Sequence, residues 1–88
     1  MANEQTVLIV DDEEYTSIFL KKVLGKAGLN ILTAQSGEEA LDVFQKNVVD
    51  IVLLDQRMPG MSGLEVLKKV KTLDPDVVVV MMTGYGTI

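Results

Sequence analysis

The stretch Ile51-Val52-Leu53-Leu54-Asp55 joins four consecutive apolar residues to a carboxylate. Such a run lacks the alternation of a strand with one wet face, so it reads as a strand covered on both sides, as in parallel sheets. Val7-Leu8-Ile9-Val10 has the same form and runs into Asp11-Asp12. Two such strands lying side by side bring their terminal charges together. Neighbouring carboxylates repel and raise each other's pKa unless a cation sits among them. The pattern points to a divalent-metal site with one carboxylate left free to react.

Working outward, Tyr15, Phe19, Val23 and Ala27 recur every four residues, and Ile18 and Leu24 widen the stripe. That spacing predicts an amphipathic helix over 14–27, stopped at Gly28. Residues 30–34 read as a second strand. Ser36-Gly37-Glu38-Glu39 has capping-box spacing, with Ala40, Leu41, Phe44 and Val48 as the apolar face behind it. The third strand is placed at 49–54, and Pro59-Gly60 marks the loop after Asp55. Ser62-Gly63-Leu64-Glu65 predicts a second capping box, with Leu64, Leu67, Val70 and Leu73 turned inward. Asp74-Pro75-Asp76 breaks that helix, and residues 77–82 form a fourth apolar strand.

Strands alternating with helices imply an α/β fold with a parallel sheet. Right-handed crossovers then favour strand order 2-1-3-4, a flavodoxin-like doubly wound sheet with the first helix on one face and the other two opposite. The winding reverses between strands one and three, so a crevice opens at their carboxyl ends. Asp11, Asp12 and Asp55 fall there.

The chain has 88 residues, 48% of them hydrophobic, enough for one small domain. Its net charge of −5 argues against binding nucleic acid or an anionic membrane surface. It contains neither cysteine nor histidine, which excludes disulfides and histidine catalysis within the chain. Residues 1–5 are polar, and no apolar run is long enough to span a membrane, so a cytoplasmic location is expected.

Leu8-Ile9-Val10-Asp11-Asp12, Val52-Leu53-Leu54-Asp55, Met58-Pro59-Gly60-Met61-Ser62-Gly63 and Met82-Thr83-Gly84 together resemble the receiver domain of two-component response regulators. The resemblance implies that Asp55 is the phosphoacceptor of a sensor histidine kinase, and that Asp11, Asp12 and Asp55 hold Mg2+. It further implies that Arg57 offers its backbone carbonyl to that metal and that Thr83 is the switch hydroxyl. An output domain would belong to a full-length parent. The first helix, with Lys21, Lys22 and Lys26, would border the kinase-docking surface.

Measured against that family, residues 1–88 read as a partial receiver domain that stops after the fourth strand, without the last helix, strand and helix. The family's phosphate-pairing lysine has no counterpart, since Lys68, Lys69 and Lys71 belong to the third helix. Impaired phosphorylation is therefore expected. About four large side chains of strands three and four would lose their cover, forfeiting roughly 6–12 kcal/mol, against a typical domain stability of about 5–15 kcal/mol. A dimer or domain-swapped oligomer is expected in place of a stable monomer. Two other functions stay open. One is a non-phosphorylated interaction or dimerisation module. The other is a Mg2+-dependent phosphohydrolase of the haloacid-dehalogenase type, which needs Asp-x-Asp where this chain has Asp11-Asp12-Glu13. Blander readings make Asp11-Asp12 helix caps, Glu13 and Glu14 first-turn acids, Thr83 a turn residue and Met58, Met61, Met81 and Met82 packing.

Overall fold

The computed structural model describes residues 4–82, so Thr83 lies outside the described residues. In chain order the elements are β1 (Thr6–Val10), α1 (Glu14–Gly25), β2 (Asn30–Ala34), α2 (Gly37–Lys46), β3 (Ile51–Asp55), α3 (Gly63–Leu73) and β4 (Val78–Met82). All strand pairs are parallel, and the order β2-β1-β3-β4 is the one the crossover rule gives. Val10 lies opposite Ala34 on one side and Leu54 on the other. The central position explains why Val7, Leu8, Ile9 and Val10 are all apolar and all buried.

Alternate strand residues divide the molecule into two layers. Leu8, Val10, Val52 and Leu54 pack with Ala40 and Phe44 of α2 and Val66 and Val70 of α3. On the other face α1 covers only β1 and β2. Ile51, Leu53 and Met82 are half-buried there, while Val78 and Val80 remain 53% and 45% exposed.

Three of the predicted apolar faces are corrected. In α1 the side turned to the sheet carries Ser17, Leu20 and Leu24. Tyr15, Ile18, Phe19 and Val23 are exposed, Phe19 by 63%. A four-residue spacing drifts about 40° per step, so a stripe of that spacing winds off any single contact line. In α3 the buried side chains are Val66 and Val70, with Leu67 half-buried, and Leu64 and Leu73 are half-exposed. Their three-residue spacing drifts the other way and places them on opposite flanks of the buried stripe. Val48 lies beyond the end of α2 and is 84% exposed.

Boundaries shift by small amounts. Helix α1 ends at Gly25, and Gly28, at φ 87°, turns the chain into β2. Strand β3 begins at Ile51, while Val49 is buried just ahead of it. Between them Asp50 braces the strand entrances, its Oδ2 accepting from the Thr6 amide at 2.8 Å. Lys71 of α3 donates its Nζ to the carbonyls of Pro75 (3.1 Å) and Val77 (2.6 Å), tying that helix to the start of β4.

Candidate metal centre

The β1–β2 ladder runs one residue past the strand, with the Asp11 amide donating to the Ala34 carbonyl at 3.1 Å. This fixes Asp11 at the carboxyl end of the sheet, 6% exposed. Its Oδ1 accepts from the Glu13 amide at 2.9 Å. Asp55 ends β3 opposite Met82, and the next amide, of Gln56, donates to the Met82 carbonyl at 3.1 Å. The Asp55 Oδ1 accepts from the Arg57 amide at 3.1 Å. Both acids thus spend one oxygen on the backbone two residues ahead, a turn that fixes the orientation of the carboxylate.

Asp11, Asp12 and Asp55 each offer an oxygen, and these oxygens lie within 4.8 Å of one another. Asp11 is buried, Asp55 half-buried and Asp12 exposed. The capping alternative for Asp12 does not hold. The N-cap of α1 is Glu13, and no side chain caps the helix there. A cluster made only of carboxylate oxygens suits a hard divalent cation that takes oxygen ligands.

Burial pushes the Asp11 carboxyl above its ordinary value of 3.8, opposed by the Glu13 amide and reinforced by the charges of Asp55, Asp12 and Glu13. A raised folded-state pKa stabilises the fold fully below the unfolded value, and that stability is lost as pH rises through the folded value. In metal-free protein, Asp11→Asn is therefore expected to melt higher than wild type, by a margin that grows as pH rises from 3.8 towards neutrality. Thermal melts in chelator across that range check this, and a margin independent of pH overturns it.

The helix entrances set the rest of the site. Ser62 and Glu65 form the complete capping box, with reciprocal bonds of 3.2 and 3.0 Å. Ser36 completes only half of the predicted one. Its hydroxyl accepts from the Glu39 amide, but the Glu39 carboxylate reaches the Gln35 amide. Gly63 was legible only as a member of a capping box, yet it is the point of closest approach. A Cβ there would stand 2.5 Å from the Asp55 carbonyl oxygen and 2.8 Å from the Gln56 Cα. The available signal was a glycine at the first helical position, where its poor propensity calls for a reason. Gly37 plays the same part in α2, since a Cβ there would meet the Met61 side chain at 2.8 Å.

The comparisons with known proteins agree with this arrangement. Residues 7–88 match the model of the response regulator receiver domain. The chain is 43% identical, over its full length, to sporulation initiation phosphotransferase F of Bacillus subtilis, of which it covers 70%. Response regulator protein TrrA of Thermotoga maritima, solved in complex with Mg2+–BeF, superposes with TM-score 0.88 at 40% identity, covering 93% of this chain and 71% of that one. The structure of histidine kinase ThkA in complex with TrrA gives TM-score 0.87 at 40% identity, covering 94% of this chain and 72% of the matched one. The acids at the strand ends, the 2-1-3-4 sheet and these matches have one reading in common, and it displaces the phosphohydrolase. This chain belongs to the response regulator receiver domain family, the phosphoacceptor module of two-component signalling.

Proposed function

We propose that Asp55 takes a phosphoryl group from a sensor histidine kinase in the cytoplasm, and that Asp11, Asp12, Asp55 and the Arg57 carbonyl hold Mg2+ beside it. The observation that carries this is the convergence of three carboxylate oxygens within 4.8 Å at the ends of β1 and β3. The Arg57 amide occupies one Asp55 oxygen and orients the carboxylate, which leaves the other to attack phosphorus. As that bond forms, the bond from phosphorus to the donor nitrogen breaks, and the nitrogen keeps the electron pair. Mg2+, when bound, neutralises the repulsion between the two anions and orients the phosphoryl oxygens. The chain is on this reading a participant in its own phosphoryl transfer and not an enzyme acting on other substrates. Thr83, directly after the Met82 that pairs with Asp55, is the proposed switch. The relatives TrrA and ThkA, solved together, support a kinase as the donor. The expected impairment, which rested on the lysine that has no counterpart in residues 1–88, finds no such support in the relatives.

Incubation with acetyl phosphate and Mg2+, followed by intact-mass measurement and peptide mapping, tests this. One phosphate on the peptide that contains Asp55, absent when chelator is added, is the expected result. Label elsewhere, or label indifferent to chelator, overturns it.

The same reading extends to association. The apolar side chains of β3 and β4 that α1 leaves open each stand to gain up to ~1.5–3 kcal/mol on full burial. On its own the 88-residue chain is expected to self-associate through Val78, Val80 and their neighbours. Sedimentation equilibrium at low micromolar concentration decides this, and a cooperatively melting monomer is the contrary outcome.

A further inference from the structure

Away from the carboxylates, the outer surface between α2 and α3 carries two adjoining cavities of about 450 and 420 Å3, which share Gln45 and Leu73. Leu41 and the half-exposed Leu73 line the first, and Phe44 and the exposed Val48 line the second. The result is one continuous apolar groove running past the end of α2.

The groove carries charge of both signs. In a chain of net charge −5, Lys68 and Lys69 both line the first cavity and are exposed. Lys46 is paired with Asp42 and Lys71 is bonded to carbonyls, but the ammonium groups of Lys68 and Lys69 have no partner among the described residues. Asp74 lies in the second cavity. It is six residues beyond Lys68, which on a helix is about 9 Å. The groove is therefore positive at one end and negative at the other, over a length of under two helical turns.

We propose that this groove binds one amphipathic helix of a partner protein. Its apolar stripe covers Leu41, Leu73 and Val48, and acidic side chains at its C-terminal end meet Lys68 and Lys69. The polarity sets the direction. The positive N-terminal end of the partner helix lies at Asp74, so the helix runs antiparallel to α3. Anchors at i, i+3/i+4 and i+7 match a site of this length. The inference goes beyond the phosphoacceptor reading and does not depend on it.

Two synthetic helical peptides with the same apolar stripe test it on the full 88-residue chain. One carries Glu and the other Lys at the positions over Lys68 and Lys69. NMR titration should show the Glu peptide shifting the amides of Leu41, Gln45, Thr72 and Leu73, with affinity at least about tenfold higher, a gap worth 1.4 kcal/mol. The double variant Lys68→Glu, Lys69→Glu should reverse that preference. Leu73→Ala, at a half-exposed position, should weaken the Glu peptide by about tenfold while the fold is kept. Equal affinities, shifts confined to β3 and β4, or no binding of either peptide overturns the proposal.

Discussion

Asp55→Asn is expected to yield a protein that takes no phosphate from acetyl phosphate and yet melts higher than wild type without metal. Asparagine keeps an oxygen for the Arg57 amide, so the turn after β3 is preserved. It has no charge and is no nucleophile towards phosphorus, so the adduct disappears. The gain in stability comes from the cluster. Two unit charges about 4 Å apart repel by ~4 kcal/mol at an effective dielectric of 20. Asp55 is half-buried and Asp12 exposed, so solvent screening cuts this to about 1 kcal/mol. That amounts to roughly 4–8 °C in a domain of this size. Asp42→Asn is the matching control, because it removes only an exposed pair with Lys46 and should leave the melting temperature within a degree or two. A phosphate adduct on Asp55→Asn, or a melting temperature below wild type in chelator, would sink this account.

Gly63→Ala is expected to have the largest effect on stability. The new methyl would stand 2.5 Å from the Asp55 carbonyl oxygen, 2.8 Å from the Gln56 Cα and 3.2 Å from the Asp55 carbonyl carbon. All three atoms are backbone, so no side-chain rotation relieves the overlap. The strand they end holds Val52 and Leu54, both fully buried, and cannot retreat freely. Overpacking of this kind costs about 3 kcal/mol. Whatever fraction still folds does so with Asp55 displaced from Asp11, and a shift near 1 Å can slow a positioned reaction by about a hundredfold. Gly25→Ala makes the opposite test, since nothing lies within 4 Å of the added methyl and the residue is helical. It should raise stability by up to ~1 kcal/mol. Denaturant melts of both variants, with phosphate uptake measured on Gly63→Ala, check the contrast. Equal stability of wild type and Gly63→Ala is the outcome that contradicts it.

The residues that carry the site were the easiest to read, and the reason is geometric. Continuous apolar runs mark buried parallel strands, and a carboxylate directly after such a run lies at the carboxyl end of the sheet, so the meeting of Asp11 and Asp55 followed from strand order. Helix faces were harder. The stripe Tyr15-Phe19-Val23 is truly apolar, but α1 covers only half of its sheet face, and spacing alone does not say which flank is left over. Leu64 and Leu73 misled for a related reason, since they flank on opposite sides a helix stripe whose buried members are Val66 and Val70. The role of Gly63 was invisible because a missing side chain leaves no periodic signal. Only the approach of α3 to the β3 backbone reveals it.

The Asp50–Thr6 brace bears on how the polypeptide is made. Thr6 leaves the ribosome first, but the carboxylate that secures its amide is 44 residues behind it. At about 5–20 residues per second, that interval is roughly 2–9 s. During it the most apolar segment of the nascent polypeptide has its outer neighbour at most and lacks the one that completes its environment. The first strand synthesised is thus among the last to be locked, and translation speed or a holding chaperone governs how long it stays at risk of aggregation.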